Sequence, residues 1–112
     1  FTPGKNFWRS GAMGPWLVTA DEVGDPAELE LETRLNGEVM QSAPTSDLIF
    51  DIPRLIEYCS TFARLEPGDV IATGTPGGVG AARKPPVWLR AGDTIEISIS
   101  RVGALVNTVA DE

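Results

Sequence analysis

The chain has 112 residues, 42% of them hydrophobic, and nine basic against sixteen acidic side chains give it a formal charge of -7. That length fits one domain and not two, the composition is that of a globular protein, and no apolar run approaches the length of a membrane span. The acidic balance, with no segment that gathers Lys and Arg among aromatics, argues against nucleic acid as a partner.

There is no histidine, and Cys59 is the single cysteine. A Ser-His-Asp triad, a Cys-His nucleophile pair, His-containing zinc motifs and an internal disulfide are therefore excluded within this chain. Any metal bound here would be a hard cation held by oxygen. One lone cysteine fits a reducing, cytoplasmic compartment. The opening Phe1-Thr2-Pro3-Gly4 contains neither a starting Met nor a signal peptide, so the chain reads as the later part of something longer. An anionic substrate would need local cations, and Lys5, Arg9, Arg83 and Lys84 are the candidates.

Gly4-Lys5-Asn6-Phe7-Trp8-Arg9-Ser10 sets two cations and two aromatics between turns without a helical or strand period. It reads either as an irregular N-terminal segment or as a site-lining one, in which Lys5 offers a point charge to an enolate or carboxylate. Gly14-Pro15-Trp16-Leu17-Val18-Thr19 predicts a turn into a short strand, with Asp21 and Glu22 on a surface turn. Residues 28–35 alternate between charged and apolar or Thr, which predicts a half-buried strand with Glu28, Glu30 and Glu32 on one solvated face. Neighbours on that face lie about 7 Å apart, too far to share one ion. Asn36-Gly37 predicts a tight hairpin turn and residues 38–41 the returning strand.

Asp51 is a plausible N-cap, and Pro53 is tolerated in the first turn that follows. Ile52, Leu55, Ile56, Cys59, Phe62 and Ala63 then recur at helical spacing, predicting one amphipathic helix over 52–65 with Cys59 on its buried stripe. Glu66-Pro67-Gly68 ends it and leads into Asp69-Val70-Ile71-Ala72, four residues of buried-strand character expected to form the central strand. Further on, the prolines of Arg83-Lys84-Pro85-Pro86 predict an extended segment before the apolar Val87-Trp88-Leu89. Ala91-Gly92-Asp93 reads as a turn, residues 94–100 as a strictly alternating strand, and residues 104–109 as its partner after a reversal at Gly103. Together these elements predict a single α+β domain over 1–112, dominated by antiparallel strands, with six or seven strands and one principal helix.

The stretch on which the functional reading turns is Thr73-Gly74-Thr75-Pro76-Gly77-Gly78-Val79-Gly80, a loop of four glycines, two threonines and a proline that follows the expected central strand. It is not a phosphate loop, because no Lys follows its glycines at the required spacing. Nor is it a dinucleotide fingerprint: Arg83 stands where the third glycine is needed, and Pro85-Pro86 where the helix should run. What remains is a backbone able to hold a carboxylate or carbonyl oxygen with amide N–H groups and a Thr hydroxyl, or else a tight structural turn.

Gly4-Lys5-Asn6-Phe7, Gly14-Pro15-Trp16, Asn36-Gly37-Glu38, Thr45-Ser46-Asp47-Leu48-Ile49-Phe50, the run from Glu66-Pro67-Gly68-Asp69 through Gly80, Pro85-Pro86 and Gly92-Asp93 occur in an order and spacing that resembles the C-terminal half of the fumarylacetoacetate hydrolase family. The resemblance implies a mixed β-roll, usually homodimeric, that uses Mg2+, Mn2+ or Ca2+ on small 2-oxo or 2,4-dioxo acids. It implies hydrolysis of a carbon-carbon bond in acylpyruvates, with decarboxylation, isomerisation or a non-catalytic dimerisation module as the alternatives. Carried over by residue, Lys5 resembles the family's site lysine, Thr75 its substrate-contacting threonine, and Gly74 lets backbone approach the ligand. Trp8 and Arg9 depart from the family pattern, and Arg9 is expected to meet a substrate carboxylate instead. The family's metal ligands are expected upstream of Phe1, with none in this chain, so the chain alone is expected to be inactive.

Overall fold

The computed structural model describes residue 6 and residues 8–111. In chain order it places a one-turn helix α1 (Ala20–Val23), strands β1 (Glu30–Leu35) and β2 (Glu38–Pro44), helix α2 (Ile52–Ser60), and strands β3 (Thr94–Ile99) and β4 (Gly103–Thr108). The four strands form one antiparallel sheet in the order β2-β1-β3-β4. Two hairpins make up this sheet, and the excursion between β2 and β3 carries α2 and the glycine-rich loop. The α+β class read from the sequence is the one observed.

The first hairpin turns at Asn36-Gly37 because both residues take positive φ, 52° and 86°, which is what a two-residue turn between right-twisted strands needs. Asn36 does more than shape the turn. Its side chain donates to Asp93 Oδ1 at 2.8 Å and accepts from the Thr94 amide at 2.9 Å, tying the hairpin tip to the start of β3. The Asn36 amide, and then the Arg90 backbone N–H, hold the Asp93 carboxyl below its usual range.

Alternation along the strands sorts the sheet into two faces. Leu31, Thr33 and Leu35 of β1 lie opposite Ile99, Ile97 and Ile95 of β3, giving an apolar face, while Glu30, Glu32 and Arg34 share the other with Ser98 and Glu96. The acidic row is partly paired rather than simply solvated. Glu32 Oε1 lies 2.6 Å from Arg34 Nε, and Glu28, which sits in a 3-10 turn (Pro26–Glu28) ahead of the strand, pairs with Arg101 at 3.2 Å.

One irregularity has large consequences. Leu35 pairs with Glu38 and Arg34 with Val39, but Thr33 pairs with Gln41, so Met40 is an extra residue, a β-bulge in β2. In the unbulged register Gln41 would oppose Glu32 on the polar face. The bulge shifts the pairing by one, which turns Gln41 onto the apolar face beside Leu31 and Thr33.

Helix α2 starts where expected: Asp51 accepts from the Arg54 amide at 2.8 Å, and Pro53 stands in the first turn. It ends at Ser60 rather than near Leu65, and Phe62 then stacks edge-on against Tyr58 at 5.4 Å. Three further expectations differ. Residues 16–19 form no strand, and the described residues hold four strands rather than six or seven; Asp21 and Glu22 lie in α1, and the Lys84–Pro85 peptide is cis. The expected central strand at 69–72 has no ladder partner among the described residues, and its Val70 is 69% exposed. Strand character in a sequence signals burial, but a strand exists only where another backbone pairs with it.

Leu29 is the one buried hydrophobic residue among those described. The accessible surface is 9047 Å2 for 12.0 kDa, where a closed monomer of that mass exposes roughly 6,000 Å2. The radius of gyration is 15.4 Å, against about 13 Å for a compact chain of this length. Large apolar side chains, among them Ile49 and Trp88, stand in the open.

Candidate functional site

A groove of about 520 Å3 runs over the apolar face of the sheet beside the glycine-rich loop. It is lined by Leu31 and Ala43 of the sheet, by Asp47, Leu48, Phe50 and Leu55, and by residues 73–77. Its apolar floor follows from strand alternation, and its loop wall follows from glycine. Gly74 takes φ +129°, a conformation that side chains rarely adopt, and a Cβ there would meet nothing within 4 Å, so open space lies in front of it.

Three groups pin the loop to the Met40 bulge. Arg83 Nη2 donates to the Met40 carbonyl at 2.5 Å, and Arg83 Nε donates to Gly78 O at 3.0 Å. Gly78 itself, at φ +100°, lies so close to the Met40 carbonyl oxygen that any Cβ would collide with it. On the other side of the bulge Gln41 Nε2 donates to Pro76 O at 2.8 Å, with Thr75 Oγ1 at 3.2 Å. Pro76 O can only accept, so the nitrogen end of the Gln41 amide must face the loop.

Of the residues singled out from sequence, Gly74 and Thr75 stand together on the groove wall. Arg9 is exposed in a turn with φ +60° and does not line the groove. Lys5 lies outside the described residues. Arg83, considered from sequence as a substrate cation, spends its Nε and Nη2 on backbone carbonyls. Thr45, from the Thr45-Ser46-Asp47 motif, serves the fold: its hydroxyl accepts from the Leu29 amide at 3.0 Å and donates to Pro26 O at 2.6 Å. Cys59 is half-buried on α2, in keeping with a packing role. Sequence reasoning missed Gln41, because the pattern around Asn36-Gly37 carries no sign of the bulge that aims it. Among the described residues, no group of three carboxylate or thiol side chains is placed to hold a metal ion.

A four-stranded antiparallel sheet, a short capped helix and a Thr-bearing glycine loop define an α+β protein with a groove lined in part by that loop. Comparison with known proteins makes that class specific. Residues 1–110 match the family model described as fumarylacetoacetate (FAA) hydrolase C-terminal, and the chain belongs to that family. It is similar to oxaloacetate tautomerase YisK of Bacillus subtilis (strain 168), with 49% identity over 109 residues, 97% of this chain and 36% of that protein. Among solved structures it resembles the fumarylacetoacetate hydrolase of psychrophilic Exiguobacterium antarcticum, with TM-score 0.84, 47% identity, and 88% of this chain and 35% of that one covered. It also resembles maleylpyruvate hydrolase from Sphingobium sp. SYK-6 in complex with manganese(II) ion and pyruvate, with TM-score 0.77, 46% identity, and 87% and 34% covered. The chain thus spans about a third of the length of the relatives it matches.

Proposed function

We propose that this chain is the substrate-facing part of an enzyme that forms an enolate from a small 2-oxo acid, with oxaloacetate keto–enol conversion as the reaction. The observation that carries the reading is Thr75. Its hydroxyl stands on the groove wall, accepts a hydrogen bond from Gln41, and so keeps its own proton for a ligand oxygen. Removing a proton from the carbon next to a ketone moves charge onto the carbonyl oxygen, and a fixed donor aimed at that oxygen stabilises the developing anion. Gly74 lets the oxygen reach the backbone. Similarity to an oxaloacetate tautomerase supports this choice of reaction.

A divalent ion would supply a second, Lewis-acid stabilisation of the same charge; the manganese and pyruvate bound to a relative support that expectation. Among the described residues no group of three carboxylate or thiol side chains is placed to hold it. On this reading its ligands, and the base, belong to the part of the polypeptide that also covers the exposed apolar surface. Lys5 is proposed to add a positive charge near the anion, and Arg9 to meet a substrate carboxylate. The complete protein is proposed to be a cytoplasmic homodimer.

Hydrolysis of a carbon-carbon bond in an acylpyruvate is the second reading, favoured by the similarity to maleylpyruvate hydrolase. Both begin with the same stabilised oxygen, so the products decide. The full-length polypeptide with Mn2+ should speed the decay of the oxaloacetate enol absorbance without releasing a cleaved product. Cleavage of maleylpyruvate with no effect on oxaloacetate enol would favour the hydrolase, and failure in both assays would overturn the enolate reading.

A further inference from the structure

We propose that Gln41 is a positioning residue of this site, which orients the Thr75 hydroxyl so that its proton is presented to a substrate oxygen. The inference rests on reading Thr75 as substrate-facing, and its chemistry follows from counting donors. A primary amide nitrogen has two N–H bonds. One goes to Pro76 O at 2.8 Å; the second has Thr75 Oγ1 at 3.2 Å, with Gly77 O more distant at 3.5 Å. A hydroxyl that accepts from a neighbour on its protein side is left with a proton to donate on the other side, which here is the groove. Without Gln41 nothing would fix the rotation of the Thr75 hydroxyl, and its oxygen could present a lone pair to the anion, which repels it.

The bulge is what makes this arrangement possible. It carries Gln41 onto the face that bears the loop, and Arg83 and Gly78 hold the bulge carbonyl in place from the loop side. A one-residue irregularity beside a site that re-aims a side chain is a recurrent use of β-bulges. A side chain that served packing alone could be replaced by Met with little change in shape. One that sets a proton's direction cannot.

The test uses the full-length polypeptide. Gln41→Met removes both donors at similar volume, and Gln41→Glu keeps the shape but accepts where the amide donates. Gln41→Met should lower kcat about tenfold, with KM changing less, because the lost orientation matters most when charge develops. It should add little to the loss already caused by Thr75→Val, since the two act through one hydroxyl. For Gln41→Glu the activity relative to wild type should rise as pH falls from about 8 to about 5, because a protonated carboxyl regains one donor.

Equal and additive losses in kcat with a flat pH ratio would overturn the proposal. Absence of oxaloacetate turnover in the wild-type protein would instead overturn the substrate reading. Backbone hydrogen exchange over residues 73–80 then judges Gln41 by itself: faster exchange in Gln41→Met supports its hold on the loop, and unchanged exchange overturns it.

Discussion

Substituting Gly78 tests how the loop is held. At this position an alanine meets two separate penalties. The backbone stands at φ +100°, which costs an L-residue about 1–2 kcal/mol. The new Cβ also collides with the Met40 carbonyl oxygen, so the loop must move off the bulge and strain the two Arg83 hydrogen bonds to Met40 O and Gly78 O. Bonds from a charged donor contribute about 1.5–3 kcal/mol each when buried. Arg83 is half-buried, so the lower end applies, and Gly78→Ala should cost about 4–5 kcal/mol if both bonds are lost.

Two other glycines separate the terms. Gly37 has φ +86° with open space around it, so Gly37→Ala should lose only the conformational part, about 1–2 kcal/mol. Gly80 needs no positive φ, but a Cβ there would collide with the Val87 carbonyl, so Gly80→Ala isolates the steric part. Denaturant unfolding of the full-length polypeptide and its three variants gives the ranking directly. If Gly78→Ala proved no more destabilising than Gly37→Ala, the loop would not be clamped to the bulge as described.

Other consequences can be measured alongside. Thr75→Val should lower kcat on oxaloacetate by roughly a hundredfold while leaving the unfolding midpoint nearly unchanged, since the side chain is exposed; an equal fall in stability would make Thr75 structural. The 112-residue chain alone should bind a hydrophobic dye, because its exposed area exceeds that of a closed monomer by roughly 3,000 Å2, and should show no turnover, because the proposed metal ligands and base lie outside it; a dye-silent, active fragment would contradict this. Asp93 has a depressed folded-state pKa, so its contribution to stability is present above the unfolded value and is lost as pH falls through the folded one. Asn36→Gly keeps the turn but removes the side-chain bond, and should flatten that acid-side loss; an unchanged acid profile would show that Asn36 is not its source.

The legible parts of the fold were those decided by a few neighbouring residues. Asn36-Gly37 specifies its own turn, Asp51 with Pro53 specifies a helix start, and the isoleucines at 95, 97 and 99 specify a strand face. What could not be read depends on distant backbone. The apolar run at 69–72 was expected to be central, yet nothing in the run itself says which strand lies beside it. The Met40 bulge leaves no trace in composition, because it is stabilised by Arg83 and Gly78 some forty residues later. For the site, a Thr among glycines was enough to pick out Thr75 and Gly74. The orientation of the Thr75 proton was invisible, since it is set by Gln41, whose face depends on that bulge.

The most direct test of the account is a structure of the full-length polypeptide with Mn2+ and oxalate, a stable mimic of a 2-oxo acid enolate. The account predicts an oxalate oxygen within roughly 3 Å of Thr75 Oγ1, in front of Gly74, with Gln41 still bonded behind the hydroxyl. Oxalate bound elsewhere, with Thr75 facing solvent or covered by another segment of the protein, would contradict it.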